Sequence, residues 1–187
     1  MQPALFLDRD GVIIENRQDY VRSWSDVDIY PQALNALVKI KSSRHKIFII
    51  TNQSVVGRGL ISQDTAREIN ERLVNEIRSS GGRIDGVFMC PHAPDENCSC
   101  RKPGPGLILD AASEHSIELK KSILVGDALS DIIAGQSAGV AQNVLVSTGR
   151  GMAQSTLPIA SQIPDFLIYE TLFDALEDLL PEYFDIP

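Results

Sequence analysis

Acidic residues follow two apolar segments of the chain, at the point where each segment ends. Asp8 and Asp10 come directly after the first apolar segment, and Asp127 and Asp131 follow the fourth. Carboxylates held close together repel each other and raise each other's pKa unless a cation joins them. Oxygen ligands of this kind suit Mg²⁺, which commonly also binds a substrate phosphate. The pattern therefore indicates a magnesium site that handles a phosphorylated compound.

The spacing of Asp8 and Asp10 predicts that the two carboxylates act together. In an extended strand, side chains two positions apart point to the same face, so Arg9 between them is expected to point away. One carboxylate can then attack phosphorus while the other handles the proton of the leaving group. Thr51 offers a hydroxyl donor and Lys102 a fixed positive charge, both of which suit phosphoryl transfer.

These residues need a scaffold that brings distant segments together. Short apolar segments alternate with helical patterns, which predicts an α/β fold with a doubly wound, mostly parallel sheet. The predicted strands cover residues 4–7, 46–50, 86–89, 122–125, 143–146 and, more weakly, 165–168. The predicted helices begin near Pro31, near the N-cap Ser62, near Gly106, near Ser130 and after Thr171. Since ligands bind beyond the carboxyl ends of such strands, the residues that follow them are expected to converge on one edge.

The bulk properties of the chain narrow its organisation and its partners. The length of 187 residues predicts a single domain over residues 1–187, which we expect to be a monomer. A net charge of −8 and a pI near 4.8 disfavour binding to nucleic acid or to an anionic membrane. No apolar run approaches the ~20 residues that span a bilayer, and no secretory signal is evident, so we expect a cytoplasmic protein. His45 and His115 lie in polar surroundings and are expected at the surface.

All three cysteines fall in one short segment. Cys90, His92, Cys98 and Cys100 offer three sulfurs and one imidazole, a closed tetrahedral ligand set for Zn²⁺ with no open position. A closed set is typical of a structural site, and it would fix the loop at about residues 90–100. The alternative is a group of buried free thiols beside a surface histidine.

Four motifs, in their order along the chain, resemble those of the haloacid dehalogenase superfamily of phosphatases. They are residues 6–12, residues 51–54, residues 101–103 and the pair Asp127 and Asp131. The match spans about residues 4–150 and implies a Rossmann-like fold. The short segment from residue 10 to residue 31 leaves no room for a large cap domain.

The resemblance also implies roles for individual residues. Asp8 would form an aspartyl-phosphate, and Asp10 would protonate the leaving oxygen and later activate water. Asp8, the backbone carbonyl of Asp10 and Asp127 would hold Mg²⁺, while Asp131 would act through water or by orienting Lys102. Thr51 and Lys102 would stabilise the transferring phosphoryl group.

The cysteine and histidine set is similar to that of one branch of the superfamily, which contains heptose 1,7-bisphosphate 7-phosphatases and histidinol-phosphatases. Tyr20 with Trp24, and Ser54 with Arg58, favour the heptose branch, whose substrate is a small phosphorylated sugar. That branch implies a role in making the nucleotide-activated heptose of lipopolysaccharide. The implied substrate-binding residues are Arg17, Gln18, Asp19, Tyr20, Asn52, Gln53, Ser54, Arg58 and Arg101.

Two alternatives remain at this stage. A histidinol-phosphatase would share the motifs, and a non-catalytic, zinc-stabilised binding module could keep the fold without turnover. Two positions depart from the branch: Val12 stands where many relatives have threonine, and Ala128 stands where some heptose phosphatases have a lysine. The second departure removes a possible phosphate contact beside Asp127.

Overall fold

Six parallel strands form one sheet in the computed structural model, which describes residues 1–184. The strands are β1 (Ala4–Leu7), β2 (Lys46–Asn52), β3 (Gly86–Cys90), β4 (Ile123–Gly126), β5 (Gln142–Val146) and β6 (Leu167–Tyr169). Their order across the sheet is β3-β2-β1-β4-β5-β6, and every neighbouring pair is parallel. This architecture confirms the predicted α/β fold with a doubly wound sheet. The strand order reverses between β1 and β4, so a crevice is expected at their carboxyl ends.

Helices connect the strands. They are α1 (Pro31–Lys39), α2 (Ser54–Gly57), α3 (Gln63–Ser79), α4 (Gly106–His115), α5 (Leu129–Ala138), α6 (Gly151–Ser155) and α7 (Leu172–Leu179). Pro31 occupies the first turn of α1, where its missing N–H costs no hydrogen bond. The Ser62 side chain accepts a hydrogen bond from the backbone N–H of Thr65 and so caps α3 as predicted.

The sheet is buried on both faces. Leu5 and Leu7 of β1 belong to a core with α1, α3 and α7, whereas Ala4 and Phe6 belong to a second core with α4 and α5. All four side chains of β1 are fully buried. Each large apolar side chain buried in this way contributes about 1.5–3 kcal/mol relative to an exposed one. The continuous apolar runs of the sequence therefore reflect burial of both faces of a parallel sheet.

Two histidines differ from the expectation of surface positions. His45 is 5% exposed, and its Nδ1 lies 3.1 Å from the Ser43 hydroxyl. Burial, followed by the nearby charge of Arg44, lowers the pKa of His45. The His115 ring lies 4.8 Å from that of Phe48 and is partly covered. The contact between His115 and Phe48 joins residues far apart in the sequence, so it was not visible from the polar neighbours of His115.

The segment between β1 and α1 covers residues 8–30 without adding a separate domain. Its one helical turn is a 3-10 helix at Trp24–Asp26, and isolated bridges link Ile14 to Asp10 and to Ile29. The carboxyl edge of the sheet is therefore bordered by loops. Within residues 1–184, no helix combines the length and apolar character that crossing a bilayer requires.

Candidate active site

At the carboxyl ends of β1 and β4, the buried Lys102 from the loop after β3 lies between two carboxylates. Lys102 Nζ lies 2.8 Å from Asp8 Oδ1 and 2.7 Å from Asp131 Oδ1. It also donates to the backbone carbonyl of Ile50 at 2.9 Å, so three acceptors match the three N–H groups of the ammonium. Since all three charged side chains are buried, solvent screens their interactions weakly.

Both partners of this ion pair have raised pKa values. Burial raises the pKa of Asp8 to about 6, because lost hydration and the repulsion of Asp131 and Asp10 outweigh the attraction of Lys102. Burial alone would lower the pKa of Lys102, but the charges of Asp131 and Asp8 more than offset it. The cluster is therefore short of positive charge, and a further cation would favour the ionised form of Asp8.

Asp127, at the end of β4, is fully buried against a tight backbone turn. Its carboxylate accepts hydrogen bonds from the backbone N–H of Arg150 at 2.8 Å and from the guanidinium at 3.0 Å. A Cβ on Gly11 would lie 2.2 Å from Asp127 Oδ2, and one on Gly149 would lie 2.4 Å away. Both glycines also have positive φ, so the approach of these loops to Asp127 requires glycine at each position.

The carboxylates form a set that could hold a metal ion. Oxygen atoms of Asp8, Asp127 and Asp131 lie within 4.8 Å of one another, and all three residues are buried. Burial raises the pKa of Asp127 even though Arg150 partly offsets the effect. Mg²⁺ prefers oxygen ligands such as these carboxylates. Their negative charge is only partly compensated by Lys102 and Arg150, so a cation would stabilise their ionised forms. The donor set therefore fits magnesium.

Asp10 is held from two sides. Arg9 donates to both carboxylate oxygens, from Nε and Nη2 at 3.0 Å each. The Gln53 amide donates to Asp10 Oδ2 at 3.2 Å and to Thr51 Oγ1 at 2.8 Å. The expectation that Arg9 points away is wrong, because β1 ends at Leu7 and residues 8–10 do not continue the extended geometry.

Asn52, at the end of β2, ties the sheet to the segment that carries Lys102. Its amide nitrogen donates to the Lys102 carbonyl at 3.0 Å, and its oxygen accepts from the Lys102 backbone N–H at 3.1 Å. Arg101, one residue earlier, donates to the carbonyl of His92 at 3.2 Å. These bonds fix the backbone on which the buried lysine sits.

The cysteine and histidine side chains form a compact cluster. Sγ of Cys100 lies 3.1 Å from Sγ of Cys90 and 3.5 Å from Sγ of Cys98. The Nδ1 atom of His92 lies 3.3 Å from Sγ of Cys100. A tetrahedral site with Zn–S bonds of about 2.3 Å places its ligand atoms about 3.5–3.8 Å apart, so small shifts admit the ion. The donor chemistry and spacing therefore fit a structural zinc.

A cavity of about 750 Å³ lies at this edge of the sheet. Its lining includes six cationic and three anionic side chains, so the cavity is locally positive although the protein is negative. It contains eight of the nine predicted substrate-binding residues, namely Arg17, Gln18, Tyr20, Asn52, Gln53, Ser54, Arg58 and Arg101. Within residues 1–184, Arg58 and Arg101 form no ion pair. These two cations are thus available to an anionic ligand.

Asp19 does not join the other residues around the cavity. Its side chain is exposed, and its backbone carbonyl accepts a hydrogen bond from Arg22 Nε. Tyr20, which follows it, has a φ of 65° and lines the cavity. Thr51 and Asp127 are buried and lie outside the lining itself.

Three residues of this site were missed by sequence reasoning. Gly149 and Arg150 follow β5, so the rule applied to the ends of the first four strands would have found Arg150. Asn70 contacts Arg9 from α3, where it is a polar residue on a helix face that buries Ile69 and Leu73. The signal available in the sequence was an asparagine, Asn70, on the apolar face of the predicted helix.

The comparisons with known proteins agree with this geometry. The HAD-hydrolase-like family model matches residues 99–175. A D-glycero-beta-D-manno-heptose-1,7-bisphosphate 7-phosphatase of Helicobacter pylori is 41% identical over 77% of this chain and 83% of its own length. A D-glycero-alpha-D-manno-heptose-1,7-bisphosphate 7-phosphatase of Mycobacterium tuberculosis is 42% identical over 82% of each chain. This chain belongs to the heptose 1,7-bisphosphate 7-phosphatase family.

The fold of this heptose phosphatase family member also matches a solved structure along its length. The D,D-heptose 1,7-bisphosphate phosphatase of Bordetella bronchiseptica, complexed with magnesium and phosphate, has a TM-score of 0.87 and 33% sequence identity. The match covers 96% of this chain and 99% of the other. The resemblance to the haloacid dehalogenase superfamily and to its heptose branch is therefore confirmed.

Proposed function

We propose that this protein hydrolyses the 7-phosphate of D-glycero-D-manno-heptose 1,7-bisphosphate through an aspartyl-phosphate on Asp8. The observation that carries this proposal is the convergence of Asp8, Asp127, Asp131 and Lys102 beside a cavity of positive charge. A nucleophile, a cation-binding carboxylate set and a phosphate-attracting pocket are the parts that phosphoryl transfer requires. The names of the H. pylori and M. tuberculosis relatives support the choice of sugar.

The carboxylates have separate tasks in this proposal. Asp8, Asp127 and the backbone carbonyl of Asp10 would hold Mg²⁺. When bound, the ion supplies positive charge that offsets the carboxylates and the phosphoryl oxygens. Asp131 keeps Lys102 in place: it accepts from the lysine at 2.7 Å and from the backbone N–H of Ala128 at 3.0 Å.

In the first half-reaction, Asp8 attacks the phosphorus of the 7-phosphate. The bond between an Asp8 oxygen and phosphorus forms as the bond from phosphorus to the sugar oxygen breaks. Asp10 donates its proton to that oxygen, which leaves as a hydroxyl group. Lys102 and Thr51 bind the oxygens of the transferring phosphoryl group and stabilise their charge.

In the second half-reaction, water releases the phosphate. Asp10, now a carboxylate, accepts a proton from water as the water oxygen bonds to phosphorus. The bond between Asp8 and phosphorus breaks, and inorganic phosphate leaves. Both carboxylates then stand in their starting positions, with the proton returned to Asp10.

The remaining cavity residues recognise the rest of the substrate. Arg58 and Arg101, which have no acidic partner among the described residues, bind the second phosphate. Arg17, Gln18 and Tyr20 border the sugar. A substrate with two phosphates suits a cavity in which cationic side chains outnumber anionic ones by six to three.

Zinc is proposed as a structural ion in the loop of Cys90, His92, Cys98 and Cys100. Three clustered thiols in reduced form suit the cytoplasm, which is the proposed location. The proposed organisation is one domain over residues 1–187, acting as a monomer, because one chain supplies the residues of the site. Light scattering on the purified protein checks the oligomeric state.

A substrate panel tests the proposed function. With Mg²⁺ present, both anomers of heptose 1,7-bisphosphate and histidinol phosphate are supplied separately. The expected result is that a heptose bisphosphate has the higher kcat/KM. Phosphorus NMR should show loss of the signal of the phosphate bound to C7. Preference for histidinol phosphate would overturn the substrate assignment. No turnover of any ester would favour a binding module instead.

A further inference from the structure

Arg9 is a buried charge that the proposed mechanism leaves without a task. It is 1% exposed and stands among the largest fully buried side chains of the protein. Removing a guanidinium from water is strongly unfavourable unless its donors are satisfied. An aliphatic residue at position 9 would avoid this cost. The contacts of Arg9 therefore need a separate explanation.

The Arg9 guanidinium contacts two side chains, Asp10 and Asn70. Nε and Nη2 form a two-point contact with the two carboxylate oxygens, each at 3.0 Å. The remaining nitrogen, Nη1, donates to Asn70 Oδ1 at 2.8 Å. Asn70 is 4% exposed, and its amide nitrogen lies 3.5 Å from the Met89 sulfur, so its oxygen is left to face Arg9.

These contacts fix the orientation of the Arg9 guanidinium and also compensate its charge. A planar guanidinium bound at both ends by Asp10 and Asn70 has little freedom to rotate. Asn70 lies on the long helix α3, so the arrangement anchors the loop after β1 to a rigid element. A lysine at position 9 would keep the charge but could not bind both oxygens in this planar geometry.

We propose that Arg9 and Asn70 are positioning residues that orient the Asp10 carboxyl group for its proton transfers. This inference rests on the proposed function, because it assigns a support to the acid of the first half-reaction. A small displacement of a catalytic group can cost about 10²-fold in rate. The proton matters most when the departing oxygen is strongly basic, which gives the inference a specific signature.

The experiment compares two substrates that differ in their need for a proton. The sugar oxygen of heptose 1,7-bisphosphate leaves as a basic alkoxide unless it is protonated, whereas 4-nitrophenolate leaves without a proton. The quantity compared is kcat/KM, which includes steps only up to formation of the phosphoenzyme. For Asn70→Ala and Arg9→Lys, kcat/KM is expected to fall at least about tenfold with the sugar ester but to stay within about threefold with 4-nitrophenyl phosphate.

Two further variants serve as controls. Asn70→Asp keeps an oxygen that accepts from Arg9 Nη1, so it is expected to retain most of the activity on the sugar ester. Asn75→Ala changes an exposed asparagine on the same helix and is expected to leave both substrates unaffected. Should Asn70→Ala fail to fold, Arg9→Lys carries the comparison of the two substrates, with Asn70→Asp as the variant expected to resemble wild type.

Asp10→Asn separates this inference from the function on which it rests. Asp10→Asn is expected to lose activity selectively on the sugar ester. If it does so, while Asn70→Ala and Arg9→Lys lose activity on both substrates equally or on neither, the positioning role is wrong but the proposed function stands. If Asp10→Asn itself shows no selectivity, the proposed acid is wrong and both proposals fail. Selective loss in all three variants supports both.

Discussion

At the scale of single residues, the site combines strong burial with incomplete charge compensation. Asp8 and Asp127 both have raised pKa values, although Lys102 and Arg150 lie in direct contact with them. Burial is the larger influence on each carboxyl group. The folded chain therefore holds these groups at a free-energy cost that a bound cation would relieve.

The pH dependence of stability tests this cost at Asp8. Its pKa in the folded chain is about 6, above the ordinary 3.8, so the folded state binds the proton more tightly than the unfolded state. Stability is thus lost as pH rises from about 4 through 6, by roughly 3 kcal/mol at most. Asp8→Asn, which stays neutral, is expected to be more stable than wild type at pH 8 in EDTA. The difference should shrink as pH falls towards 4.

Chemical denaturation between pH 4 and pH 8 measures this difference. Asp110→Asn, at an exposed position of α4, is the matched control and should show no such trend. A stability difference between Asp8→Asn and wild type that is constant across the range would contradict the account of Asp8.

Arg150 offers a second test, because it pairs with Asp127, the carboxylate that would also hold Mg²⁺ in the proposed function. Its side chain is half-exposed and pairs with the fully buried Asp127. Arg150→Ala is expected to melt at a lower temperature than wild type in EDTA and to bind Mg²⁺ about three- to tenfold more tightly by calorimetry. Arg150→Lys keeps a cation near Asp127 and should lie closer to wild type. Weaker Mg²⁺ binding by Arg150→Ala would show that the arginine supports the metal site.

At the scale of elements, the loop between β3 and α4 connects two parts of the site. The backbone N–H of Gly57 donates to the Pro91 carbonyl at 2.8 Å, and a Cβ on Gly57 would lie 2.4 Å from Ala93 N. The loop thus packs directly on α2, next to Arg58. Through Asn52 and Arg101 it is also tied to the segment of Lys102. Disorder in this loop should therefore affect the lysine and both available arginines.

Removal of the proposed zinc ligands tests the loop. Wild-type protein is expected to hold about one equivalent of zinc by elemental analysis, and Cys98→Ser/Cys100→Ser to hold none. The variant should melt several degrees lower, because a metal bound only by the folded state adds folding free energy. Ser99→Ala, at an exposed position between the two cysteines, should keep both the zinc and the stability. Stoichiometric zinc in the double variant would show that the ligands are others.

Buried strands were predicted more accurately from the sequence than exposed ones. The first five strands are fully or largely covered, and their continuous apolar runs located them within one or two residues at each end. β6 begins two residues later than predicted, and Leu167 and Ile168 are 42% and 53% exposed at the sheet edge. The four-residue helix α2 was not predicted, because four residues are too short for a helical period to be visible.

At the scale of the whole molecule, topology determines where the chemistry is located. The strand order reverses between β1 and β4, and the loops after these strands carry Asp8 and Asp127. Parallel strands end at a common edge, so the sequence positions of these residues were sufficient to predict their convergence. The contacts of Arg9 and Arg150 were less predictable, since Arg9 reaches Asn70 on α3 and Arg150 reaches Asp127, 23 positions earlier. Such contacts depend on packing that local sequence does not encode.

The distribution of charge is also a property of the whole chain. The chain has a net charge of −8, but the cavity lining has more cationic than anionic side chains. The local charge of the cavity is therefore opposite in sign to the net charge of the protein. We expect the overall charge to reduce association with polyanions and the cationic lining of the cavity to favour a small anionic ligand. The weak association with polyanions remains a prediction from net charge, whereas the cationic lining of the cavity became visible only in the folded structure.

The phosphoenzyme is the most direct test of the central claim, that Asp8 is the nucleophile of a heptose bisphosphate phosphatase. Wild-type protein with Mg²⁺ is mixed with the bisphosphate, quenched with acid during turnover and digested for mass spectrometry. The expectation is one added phosphoryl group on the peptide that contains Asp8, and none in Asp8→Asn, which should also release no phosphate. Phosphate release by Asp8→Asn at the wild-type rate, or a phosphoryl group on another residue, would contradict it.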